Sequence, residues 1–193
     1  MRRLLAIVLL LLPGAPTRAD FHFFELSEVY TDATGSVQFI ELFTSVAGQQ
    51  FLEGHAVRTL AAGAELQAFV FPADLPGDTR NRHCLLATPG FAAVAGIAPD
   101  YEIPPAFVEA GVADAIDFAS VDSLSLAGLP TDGTLALHAN GAPAEPTPTN
   151  FAGAVGTIEL PEPAASCRGL AVAGVLAALA VWQGRRALRG GDG

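Results

Sequence analysis

Between Phe21 and His138 the chain is cut at Gly54, Gly63, Pro72, Pro76-Gly77, Pro89-Gly90, Pro130 and Gly133, so its apolar residues come in short runs. Proline removes the amide that a helix interior or a central strand uses, and glycine favours turns. What fits between such breaks is strand. The runs that predict strands are Phe21 to Tyr30, Val37 to Phe43, His55 to Leu60, Gln67 to Phe71, His83 to Thr88, Ser123 to Leu126, Leu135 to His138 and Val155 to Leu160. In Val37 to Phe43, Val37, Phe39 and Glu41 fall on one side and Gln38, Ile40 and Leu42 on the other, so both faces are largely apolar. Thr31 to Ser36 is turn chemistry and predicts a hairpin. The fold class expected is all-β, an antiparallel β-sandwich. Phe91 to Ala119 breaks the rhythm with Pro99, Pro104 and Pro105, and reads as a long excursion with short helical turns at Phe91 to Ala95 and Pro105 to Ala110. Pro143 to Asn150 reads as a second extended connection, and Thr147 to Gly153 either covers the domain or leads its last strand toward the membrane, with Phe151 as the anchor.

The two ends follow other rules. Arg2-Arg3, an apolar run from Leu4 to Leu12, then Pro13-Gly14 and small residues have the layout of a signal peptide, with cleavage after Ala19. At the other end Gly169 to Trp182 is wholly apolar or glycine, flanked by Arg168 on one side and Arg185, Arg186 and Arg189 on the other. This predicts a transmembrane helix over about 169–184, with the basic residues cytoplasmic and the domain outside. Pro161-Glu162-Pro163 precedes it and is extended, because neither proline continues a helix. Triplet, spacer, apolar segment and basic end resemble the PEP-CTERM sorting signal of exported bacterial proteins. The resemblance implies processing at Pro161-Glu162-Pro163 by an exosortase-type membrane transpeptidase. Cys167-Arg168 departs from the usual uncharged spacer. The expected segments are a signal peptide at 1–19, a β-domain at 20–160 and a sorting tail at 161–193.

Charge narrows the partners. The chain has 10 basic residues, all arginine, and 20 acidic ones. Asp20 to Pro163 holds 19 of those acids against 3 arginines, Arg58, Arg80 and Arg82, and so carries −16. Nucleic acid is excluded as a partner, because its affinity comes from basic side chains displacing counterions. Calcium suits acidic exported domains, and Asp114, Asp117 and Asp122 cluster while Asp100 and Asp132 flank other turns, but no spacing matches an EF-hand loop. Two cysteines, Cys84 and Cys167, make no disulfide framework, and Cys84 in an apolar run reads as a buried thiol.

Glu28-Val29-Tyr30, Gln38 to Leu42, Leu52 to His55, Phe69 to Pro72, Leu85 to Ala87 and Asp132 to Leu137 resemble the succession of strands in lamin-tail-like domains. That resemblance implies an immunoglobulin-like sandwich that binds or scaffolds and does not catalyse. His22, His55, His83 and His138 are scattered, with no zinc spacing, nucleophile elbow or phosphate loop beside them, so no catalytic, cofactor or metal residue is assigned. The function expected is a non-enzymatic cell-surface or matrix protein on the outer face of the cytoplasmic membrane. Its expected partners are signal peptidase, the sorting enzyme, the membrane, and extracellular polysaccharide or another surface protein. Two rivals remain: a secreted hydrolase whose residues converge only in three dimensions, and a calcium-binding spacer.

Overall fold

Asp32 organises the first turn: its carboxylate accepts hydrogen bonds from the hydroxyls of Thr34 (2.8 Å) and Ser36 (2.9 Å) and from the Val37 amide (3.2 Å). That turn joins β1 (Glu25–Thr31) to β2 (Gln38–Thr44), the hairpin expected from sequence. The structure, a computed structural model, describes residues 21–158. The predicted signal peptide with Ala19, and the tail with Pro161, Glu162, Pro163, Arg168, Arg185, Arg186 and Arg189, lie outside the described residues. Among the described residues no helix is long and apolar enough to cross a membrane.

The elements after β2 are β3 (Ala56–Ala61), β4 (Ala64–Val70), β5 (Arg82–Ala87), α1 (Phe91–Ala95), β6 (Tyr101–Glu102), β7 (Ala115–Phe118), β8 (Asp122–Ser125), β9 (Ala136–His138) and β10 (Pro143–Ala144). They form a six-stranded sheet, β10-β9-β1-β2-β5-β6, and a four-stranded sheet, β4-β3-β7-β8. Every pairing is antiparallel except β5 with β6. The result is a two-sheet β-sandwich. β3 and β4 turn on Ala62 (φ +50°) and Gly63 (φ +79°), the doubly left-handed pair that suits the twist of a two-residue hairpin.

The core lies between the sheets. Leu26, Val29, Ile40, Leu42, Cys84, Leu86 and Leu137 of the larger sheet share one buried cluster with Val57, Ile116, Phe118 and Leu124 of the smaller. Tyr30, Phe39, Leu85, Ala87 and Ala136 belong to a second cluster on the opposite face of the larger sheet, with Phe91 and Ala95 of α1 packed against them. Hence β2 is buried on both sides, as its two-sided apolar pattern predicts.

A bulge sets which side chains reach that outer face. The β1–β2 register runs Leu26 opposite Leu42 and then Glu28 opposite Glu41, leaving Ser27 as the extra residue. Without the bulge Glu28 would alternate onto the core face beside Ile40; with it, Glu28 stands beside Glu41 on the outer face.

Four expectations are corrected. Phe91 to Ala119 is no excursion: besides the expected turn of helix at α1 it supplies β6 and β7, and β7 lies between β3 and β8. It escapes pattern reading because only Ile116 and Phe118 point inward, with Asp117 between them. Pro105 to Ala110 is turn rather than helix, and Ala106 adopts φ +56°. Val155 makes a single bridge to Thr149 in place of a strand start. β4 also begins at Ala64, ahead of the expected Gln67, because the Ala62-Gly63 turn pairs the chain immediately.

Phe118 has no exposed surface and meets Phe21, Phe24 and Phe71 edge-on at 5.8, 6.4 and 6.1 Å. Phe118→Ala is expected to cost about 3–5 kcal/mol and Phe118→Leu markedly less. Urea midpoints compared at constant m-value check this ordering, and equal midpoints for the two variants would contradict it.

Candidate functional site

Residues 145–158 form a strap over the outer face of the larger sheet. Pro146 and Pro148 hold it extended and donate nothing, so the amides left between them and beyond decide what it binds. In an extended chain alternate residues point the same way. Thr147 N–H donates to Glu28 Oε1 at 2.9 Å, Thr149 N–H to Glu41 Oε2 at 2.6 Å, and Phe151 N–H to Asp100 Oδ2 at 2.8 Å. The Thr147 hydroxyl adds a bond to Glu28 Oε2 at 2.9 Å. The three acceptors come from β1, β2 and the approach to β6, and Asp100 Oδ2 also takes the Leu85 amide of β5 at 2.8 Å.

Beyond this ladder the strap closes on itself. Asn150 N–H donates to Ala154 O (3.1 Å) and its Oδ1 accepts the Ala154 amide (3.0 Å), while Gly156 N–H reaches Pro148 O (2.8 Å). Gly156 lies so close to α1 that an added Cβ would stand 2.9 Å from both Ala95 O and Ile97 Cγ1. Thr157 N–H donates to Ala95 O at 3.2 Å, and Ile158 packs on the outer cluster. Phe151, the expected anchor, is half-buried with the Arg82 guanidinium 5.9 Å over its ring. It contributes packing, but the carboxylates carry the attachment.

Two histidines complete the site. His83 Nδ1 is 2.8 Å from Glu41 Oε1, to which Ser27 Oγ also donates at 2.8 Å. His138 Nε2 donates to Glu145 O at 3.2 Å and lies 3.8 Å from Glu28 Oε1. Burial raises the Glu28 carboxyl above its ordinary range, against the lowering effect of the two Thr147 bonds, and Glu41 opposite pushes the same way as burial while His138 opposes it. Burial likewise raises Asp100, against the Leu85 and Phe151 amides, with Glu41 adding to the rise. Burial raises the Cys84 thiol well above its usual value, as expected of a core cysteine.

The arrangement differs from a nucleophilic triad in its order. Acyl transfer needs the imidazole between serine and carboxylate. Here Ser27 and His83 both end on one oxygen of Glu41, so the carboxylate is central and the serine proton points at it. His22 and His55 stand elsewhere, against Phe21, at ring separations of 4.5 and 3.5 Å. The acids that suggested calcium hold backbone: Asp114 takes the Ala62 amide, Asp122 the Leu26 amide, and Asp117 pairs with Arg58 and the Ser120 amide. Among the described residues no three His, Cys, Asp or Glu side chains gather as metal ligands. Two surface hollows of about 330 and 220 Å³ are lined by Val108, Val112, Leu126 and Leu129 with Asp114, and by Asp117, Ser120, Asp122 and Ser123.

Glu28 and Glu41 were not assigned a site role from sequence, and Asp100 enters there only as an acid flanking a turn in the calcium reading. The readable signal was a carboxylate inside a strand apolar on both faces, at Glu41, since a buried charge demands strong donors.

The raised carboxyls set a pH dependence. Because Glu28 and Asp100 bind a proton more readily folded than unfolded, their contribution to stability is complete below the ordinary carboxylate range and is lost as pH rises through their raised folded values. Asp32 has the opposite sign: its Thr34 and Ser36 hydroxyl bonds and the Val37 and Ser36 amides outweigh burial and lower it, so its contribution disappears as pH falls below about 4. Thermal unfolding at constant ionic strength is therefore expected to shift upward as pH falls from neutral toward the ordinary carboxylate range and to fall again below it. Glu28→Gln with Asp100→Asn keeps an acceptor for each amide and should flatten the upper limb; an unchanged limb would contradict the assignment.

No family model, no curated protein and no solved structure matches the chain.

Proposed function

We propose that this chain is an exported, non-enzymatic surface protein: a lamin-tail-like, immunoglobulin-type sandwich displayed outside the cytoplasmic membrane. In this reading signal peptidase removes residues 1–19, the apolar segment at about 169–184 seats the chain in the membrane, and an exosortase-type enzyme cuts near Pro161-Glu162-Pro163. The product passes to the cell surface or extracellular matrix, where polysaccharide or another surface protein is its partner.

The observation that carries the reading is the junction between domain and tail. The strap is held as far as Ile158, and the Pro-Glu-Pro triplet begins three positions later. A folded domain thus runs directly into a short apolar, basic-ended tail, the order that sorting of a displayed domain requires. The side chains of the outer face support the non-enzymatic part, since Ser27, His83, Glu28, Glu41 and Asp100 are engaged with one another and with strap amides. Of the segments that carry the lamin-tail resemblance, those in 28–30, 38–42 and 85–87 lie in β1, β2 and β5, Phe69 to Pro72 and Asp132 to Leu137 overlap β4 and β9, and Leu52 to His55 is a turn, so the family rests on the sequence resemblance.

Fractionation with terminal mass spectrometry tests it on wild type and a variant with Pro161, Glu162 and Pro163 all replaced by alanine. Wild type is expected to begin at Asp20 and end near Pro163, outside the membrane fraction; the variant should keep Gly193 and stay with the membrane. Identical termini and fractionation for the two would make the triplet a plain linker.

A further inference from the structure

The strap is recognised through its main chain. Its principal bonds to the sheet are the amides of Thr147, Thr149 and Phe151, set two apart and received by Glu28, Glu41 and Asp100, so what the face reads is backbone N–H at alternate positions, extended through Thr149 and entering the Asn150–Gly153 turn at Phe151. The side chains that add to this are the Thr147 hydroxyl on Glu28 (2.9 Å), the Asn150 side-chain amide on Ala98 O (3.0 Å), buried Pro148 and half-buried Phe151 and Ile158, while Ala152 to Val155 are exposed. The strap is thus attached by polar bonds that water can replace once it lifts, which places it among the elements that open below the cost of global unfolding.

Its connection to the domain is equally slight. β10 pairs with β9 over two residues, one of them Pro143, and the preceding turn is exposed, with Gly141 at φ +77°. Lifting residues 143–158 on that turn breaks one two-residue strand pairing, β9 with β10, and no pairing among β1, β2 and β5. We infer that the outer face of the six-stranded sheet is a receptor for extended backbone whose own strap is the resident occupant, and that the strap of a second copy takes its place when copies are crowded. The sequences are identical, so the exchanged strap meets the same three carboxylates in the same register. The resident strap has the advantage of an effective concentration in the millimolar range, so exchange belongs to dense arrays of the protein and not to dilute solution.

The test opens the full chain with Thr147→Pro and Thr149→Pro, which delete two of the amide donors and keep the segment extended. The probe is a fluorescent synthetic peptide of residues 143–158, followed by anisotropy. The opened chain is expected to bind it saturably, at least tenfold tighter than wild type, and to lose it when Glu41→Ala and Asp100→Ala are added; a peptide carrying the same two prolines should not bind. A second variant lacking Asn140 and Gly141 cannot fold its strap back and is expected to be a dimer by light scattering. The inference is overturned if the opened chain keeps its near-ultraviolet circular dichroism yet ignores the peptide, or if the deletion variant folds as a monomer. Loss of the fold in the opened chain overturns it too, since the strap would then be part of the core and not an exchangeable occupant.

Discussion

The outer face of this domain rests on three carboxylate-to-amide bonds. Glu28, Glu41 and Asp100 each receive an alternate amide of the strap, and with them the larger sheet is covered on the side away from its partner sheet. Were the strap absent, β1 and β2 would present two adjacent carboxylates without their amide donors, and the cluster under α1 would lose its contact with Ile158. The bulge at Ser27 is part of the same device, since it turns Glu28 to the face where Thr147 arrives and frees Ser27 to bond Glu41.

Glu28 and Glu41 stand directly opposite each other, an arrangement that like charges normally disfavour. The chain has no lysine and only three arginines across the domain, one of which, Arg58, is taken by Glu65 and Asp117. Backbone N–H groups take over the role that cations play elsewhere. The pattern recurs away from the strap, where Asp32, Asp114, Asp122 and Asp132 each accept a backbone amide at a turn or strand edge. An acidic chain can afford this because a charge-assisted bond to an amide is about twice as strong as a neutral one and needs no long side chain to be ordered. It also explains why acids that looked like loose cation ligands in sequence are structural fasteners.

The consequence is a domain whose polar side chains hold its own backbone through to the strap. The order Ser27–Glu41–His83 shows how near this comes to a catalytic grouping while lacking its logic: with the carboxylate in the middle, the imidazole has no hydroxyl to activate.

Much was legible from sequence because it depends on local chemistry. The Asp32 turn, the two-sided apolar pattern of β2, the buried Cys84 and a covering role for residues 147–153 all follow from residue type and spacing, which act within a few positions of the chain. β7 and β6 were hidden because a short strand with two inward residues is defined by its neighbours more than by itself. The carboxylate ladder was hidden for a stronger reason: Glu28 and Thr147, or Glu41 and Thr149, are more than a hundred positions apart, and which acid meets which amide depends on a one-residue bulge and a sheet order that no local pattern encodes. Sequence by itself determined that the acids had to find donors. Only the tertiary structure decided that the donors are the alternate amides of one strap, because a buried charge can be satisfied by any strong donor that the fold brings within about 3 Å.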